Sequence, residues 1–89
     1  MPYILQEKRK VLDPAIRQLA DSFNMLQDEG NFAGNLNYTI TKLLFTLFPE
    51  ANYQRYNDMI GALECCKLEL YRKKVSPYED LKEQENGAV

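Results

Sequence analysis

Apolar residues recur along this chain with the spacing of a helix. Ile16, Leu19, Ala20, Phe23 and Leu26 follow one another at the intervals of a single helical face. Leu36, Ile40, Leu43, Leu44 and Leu47 make a broader stripe. Thr39, Thr41 and Thr46 leave a strand conceivable in this segment, but there is no clean polar–apolar alternation and the helical period fits better. In a third segment Tyr53, Tyr56, Ile60, Leu63, Leu70 and Tyr71 share one face, with Met59 and Cys66 on its flank. The pattern predicts an all-α fold, a small bundle of three main helices over about 14–27, 36–48 and 52–75.

Punctuation residues set the expected ends. Asp13-Pro14 reads as an N-cap followed by a proline at the first helical position. Glu29, Gly30, Asn31, Gly34 and Asn35 mark a connection in which Phe32 is an anchor. Pro49 ends the second helix and Asn52 caps the third, which at 1.5 Å per residue is about 34 Å long. Gly61 interrupts it mildly. Ser76-Pro77-Tyr78-Glu79 has the form of a second start, with a capping serine and an acid three residues on, and predicts a short helix over about 77–85. Residues 1–12 are expected to be an arm with room for one helical turn, and 86–89 a frayed tail, of a single domain spanning 1–89.

Composition narrows the function classes. With 89 residues a lone core is marginal, and chains of this size often gain stability from a disulfide, a metal or a partner subunit. Two of those routes are closed within one chain. The only cysteines, Cys65 and Cys66, are neighbours and cannot bridge without strain, and there is no histidine. No metal or cofactor is expected. The net charge of −2 gives no general attraction to nucleic acid or to anionic membrane. The run Arg72-Lys73-Lys74 closes a helix, where cations suit the dipole, and Glu69, Glu79 and Asp80 surround it. No segment approaches the roughly 20 apolar residues of a membrane span, and the opening residues lack the apolar core of a signal peptide. A soluble protein of a reducing cytoplasm is the expectation.

One polar cluster stands out. Lys67 falls in the middle of the apolar face of the third helix, between Leu63 and Leu70, with Glu64 one turn before it. Three readings are open. The lysine snorkels, laying its methylenes on the core; it pairs with Glu64 as a buried ion pair; or it is a functional amine. Asn37, Tyr38, Asn57, Glu64, Lys67 and Tyr71 would converge on a polar pocket if the second helix packed on the third. The two cysteines have no histidine to activate them. The acids form no paired Glu-x-x-Glu and Glu-x-x-Asp set on facing helices such as helical pyrophosphohydrolases use to hold Mg²⁺. No catalytic residue is assigned.

Several stretches are distinctive as strings. Met1-Pro2-Tyr3-Ile4, Leu12-Asp13-Pro14, the segment from Asn35 to Thr41, the segment from Ile60 to Arg72, and Pro77-Tyr78-Glu79-Asp80 with Lys82 and Glu85-Asn86-Gly87 resemble a family of short prokaryotic and phage-associated proteins, a domain of unknown function. The resemblance covers nearly the whole chain. It implies a bacterial, archaeal or phage setting and no activity. The chain departs from the family pattern at its tail, where Gly87-Ala88 stands in place of glycine then aspartate.

Two functional classes follow. The first is a small helical interaction or structural module acting as a homo-oligomer, a homodimer through the third helix. The second is a small-ligand-binding or enzymatic protein using the polar pocket between the second and third helices. A nucleic-acid-associated phage or prophage protein is a third reading, disfavoured by the charge.

Overall fold

The computed structural model describes residues 2–89, and among them it is all-α, with no strand. Four α-helical segments run in order: α1 Gln6–Leu26, α2 Phe32–Leu47, α3 Tyr53–Leu70 and α4 Ser76–Asn86. A 3₁₀ turn, Glu29–Asn31, precedes α2, and a π-helical turn, Tyr71–Val75, joins α3 to α4. These are the three main helices that the apolar pattern predicts and the C-terminal helix that the Ser76-Pro77 start signal predicts, with the last two joined end to end.

At two prolines the helix is already running, and the start of α2 moves as well. Helix α1 starts at Gln6, not near residue 14, so Pro14 lies in its interior. The reason is upstream. Leu5 is extended, its carbonyl accepts from the Lys8 and Arg9 N–H groups at 3.1 and 3.3 Å, and Arg9 Nε donates to the Ile4 carbonyl at 2.9 Å. Gln6 to Lys10 are all good helix formers, so the helix is already running when it meets Pro14. The expected arm therefore shrinks to the residues before Gln6; Met1 lies outside the described residues. Ser76-Pro77 does open α4, but with no break before it and no side-chain cap from Ser76. Tyr71, Val75 and Ser76 are all right-handed helical, and α3, the π turn and α4 form one continuous helix of 18, 5 and 11 residues, about 50 Å long. Pro77 has no N–H to give the Lys73 carbonyl, and the widened turn lies immediately upstream of it.

Elsewhere the local chemistry matches the pattern. Gln27 ends α1 in the left-handed region (φ 50°), with its N–H on the Asn24 carbonyl at 3.2 Å. Asn52 Oδ1 accepts from the Arg55 N–H at 2.9 Å and caps α3. Phe48 closes α2 one residue before Pro49. Thr39 and Thr46 hydroxyls donate to the carbonyls of Asn35 and Lys42, four residues back, as threonines inside a helix do. Helix α2 begins at Phe32, earlier than the sequence suggests, because Asp28 gathers the start of the helix (below).

The chain divides into two compact units, residues 3–51 and residues 52–89, the second also taking in the N-terminal end. In the first, Phe23 of α1 and Phe32 of α2 meet edge to face, ring centres 6.3 Å apart at 63°. In the second, the long helix is the one helical element among the described residues. No described residue is fully buried; on the long helix the most covered are Met59, Glu69, Val75 and Lys82, with Leu63 next at 38% exposed.

Candidate functional site

The site expected from the sequence is distributed over both units. Asn37 and Tyr38 lie on α2, in the first. Together with Ala33, Gly34 and Thr41 they line a shallow, open hollow, and the Thr41 hydroxyl donates to Asn37 Oδ1 at 3.2 Å. Asn57, Glu64 and Lys67 lie on α3, and Tyr71 is the first residue of the π turn, in the second unit.

Within that second group one contact forms. Lys67 Nζ lies 3.0 Å from Glu64 Oε1, an i,i+3 pair. Their side chains are 59% and 54% exposed, so this is a surface pair and not a sealed one. Its contribution to stability is at most about 1 kcal/mol. Both groups are open to solvent, able to meet a ligand or a protein surface. The cysteines are equally open: Cys65 and Cys66 are free and exposed. Among the described residues no three cysteine, aspartate or glutamate side chains stand close enough to hold a metal ion.

Sequence reasoning missed a second polar centre, at the α1–α2 junction. Asp28 accepts from Asn31 Nδ2 at 2.7 Å and from Asn35 Nδ2 at 3.2 Å. First the Asn31 amide and then the Asn35 amide hold its carboxyl below the ordinary 3.8. The two asparagines are three and seven residues on, so Asp28 fastens the 3₁₀ turn and the first turn of α2 to one point. That spacing is the signal the sequence offers for it. A concavity of about 630 Å³ opens beside it, walled by Phe23 and Phe32 and edged by Asn24, Gln27 and Glu29. Its polar lining is amide and carboxylate, with no nucleophile and no base matched to one.

A family model described as a domain of unknown function, DUF6899, matches residues 1–89. The chain belongs to the DUF6899 family. No curated protein and no solved structure matches this DUF6899 chain. Among its described residues no helix is long and apolar enough to cross a membrane. Family membership carries no activity, so the functional reading rests on the surfaces of the chain itself.

Proposed function

We propose that this DUF6899 protein is a small helical interaction module that acts as a homo-oligomer, a dimer in the first instance, joined through α3. One observation carries the reading. The unit 52–89 has one helical element, and its apolar stripe is largely exposed: Tyr56 and Ile60 are 51% and 66% exposed, and Tyr53, Leu70 and Tyr71 are open as well. A lone helix in water is held by little beyond its own propensity, and helices in proteins draw most of their stability from packing an apolar face. Contiguous exposed apolar surface of this kind marks an interaction site. A homodimer supplies the cover at no cost in further components, and tyrosine, abundant on this stripe, is a residue that interfaces favour.

The test is sedimentation velocity over the micromolar range. A dimer is expected, dissociating on dilution. A monomer throughout overturns the reading.

A second reading is a small-molecule site, with Lys67 binding an anionic or carbonyl group and Asn37, Tyr38, Asn57, Glu64 and Tyr71 orienting it. What favours it is that the Lys67 amine and the Glu64 carboxylate are solvent-open and so free to meet a ligand. A panel of carboxylates and phosphates should then raise the melting temperature of the protein and leave Lys67→Met unmoved. No shift with any of them removes this reading. The setting that goes with either function is the prokaryotic or phage cytoplasm, where two exposed thiols stay reduced.

A further inference from the structure

The joint between α3 and α4 has the residues of a helix end followed by those of a helix start, yet the helix runs through it. Arg72, Lys73 and Lys74 stand just before Val75, and Glu79 and Asp80 follow soon after Pro77. Cations suit the carboxyl end of a helix and anions the amino end, and both preferences lapse where a helix is unbroken. Ser76-Pro77-Tyr78-Glu79 has the residues of a capping box, but Ser76 makes no side-chain cap. Its backbone is right-handed helical, at φ −61° and ψ −46°. A capping residue is extended instead, and extended backbone is also what the residue before a proline prefers. Pro77 offers no N–H to the Lys73 carbonyl. The ladder crosses the gap by a wide turn, the Ser76 N–H donating to the Tyr71 carbonyl five residues back. The Asp13-Pro14 pair inside α1 lacks these features: Ile16 stands where the acid would be, and no wide turn precedes it.

We infer that this joint is a hinge with two states. In one, described above, the helix is continuous. In the other, Ser76 turns to extended backbone, α3 ends near Lys74, and α4 starts afresh under its own cap. The change is local, chiefly a rotation about ψ of Ser76. The open form gains what the continuous one forgoes. Ser76 Oγ accepts from the Glu79 N–H, and the Glu79 carboxylate accepts from the Ser76 N–H. The cations of Arg72, Lys73 and Lys74 meet the carbonyls freed at the end of α3, and Glu79 and Asp80 meet the N–H groups freed at the start of α4. Against these stand the ladder bonds that cross the joint, of which Pro77 has already removed one. The two sets of interactions are comparable, so both forms are populated. The hinge belongs to a single chain and does not rest on the homodimer reading. It frees the eleven residues Ser76–Asn86 to leave the line of α3. A partner that meets the two segments in one arrangement only would draw the chain into that state.

The experiment is a distance within one chain. Ala62 and Gln84 are exposed and lie on opposite sides of the joint. Spin labels on Ala62→Cys and Gln84→Cys, in a Cys65→Ser, Cys66→Ser background diluted with unlabelled chain, report their separation by double electron–electron resonance. The continuous helix gives about 33 Å, from the rise per residue. A second population at about 25 Å or less is expected, the separation left by a bend of a right angle or sharper. Ser76→Ala removes the cap and should reduce that population about fivefold. Pro77→Ala restores the missing ladder bond and should reduce it at least as far. Ser76→Asp caps as serine does and should leave it within about twofold of the parent. A single distance near 33 Å in the parent overturns the hinge. So does a short distance that Ser76→Ala or Pro77→Ala leaves unchanged, or that Ser76→Asp lowers as much as Ser76→Ala, because the bend then lies elsewhere or owes nothing to the cap.

Discussion

At the scale of single residues, the pair that the sequence brings forward is not the one that organises its surroundings. Glu64 and Lys67 do meet, as three-residue spacing on a helix allows, but in the open. In the isolated chain Lys67→Met and Glu64→Gln should each change stability by less than about 1 kcal/mol in thermal denaturation at low concentration. A loss of about 3 kcal/mol would instead require a buried pair. Their contact was legible because it depends only on helix geometry. Their exposure was not, since it depends on what packs against the helix, and no residue pattern within one chain states that. Asp28 is the reverse case: unremarked in the sequence, it fastens the start of α2 through Asn31 and Asn35. Its carboxyl is depressed in the folded chain. The stability it lends is therefore fully present above its ordinary value of 3.8 and is lost as pH falls through the lower folded one. The side-chain amide resonances of Asn31 and Asn35 should move together across that acid range. Asp28→Asn should abolish the movement.

At the scale of elements, the periodicity located the three main helices, while the punctuation located the C-terminal one, misplaced the start of α1 and implied a break before α4 that is not there. Asn52 caps as read and α2 stops just before Pro49. Asp13-Pro14 and Ser76-Pro77 have the same local form as true starts, yet both lie inside helices. A start signal is effective only where the chain before it is not already helical, and Gln6 to Lys10 on one side and Tyr71 to Val75 on the other are helical. An interior proline is costly, so Pro14→Ala should raise the stability of α1 by an amount on the order of 1–3 kcal/mol, visible as increased helicity and a higher melting temperature. A fall would mean that Pro14 serves as a helix start after all. Asn52→Ala should cost about 1 kcal/mol through loss of the bond to the Arg55 N–H.

At the scale of the whole molecule, the apolar stripe of α3 is exposed, and the six residues expected to share a polar site are divided between elements, Asn37 and Tyr38 on α2 and Asn57, Glu64, Lys67 and Tyr71 on the long helix. The stripe was legible; its partner was not, because the same face reads alike whether it meets its own chain or another. If a second copy closes it, folding and association are linked. The melting temperature should then rise with protein concentration, and helicity should fall on dilution. A melt that is independent of concentration would speak for a self-sufficient monomer.

The π turn has one more effect. It carries Arg72, Lys73 and Lys74, three successive sites for trypsin-like proteases, on a stretch of helix whose backbone bonds have been shifted out of the ordinary ladder. Cleavage needs only a local opening of several residues, which comes most readily where a helix is least regularly bonded and least packed. An isolated chain therefore offers proteases a scissile point near the middle of its longest element. In the dimer proposed above, packing of the long helix on a second copy would make that opening rarer. The lifetime of the protein in a cell would then depend on how much of it is made: sparse chains are cut and cleared, abundant ones persist.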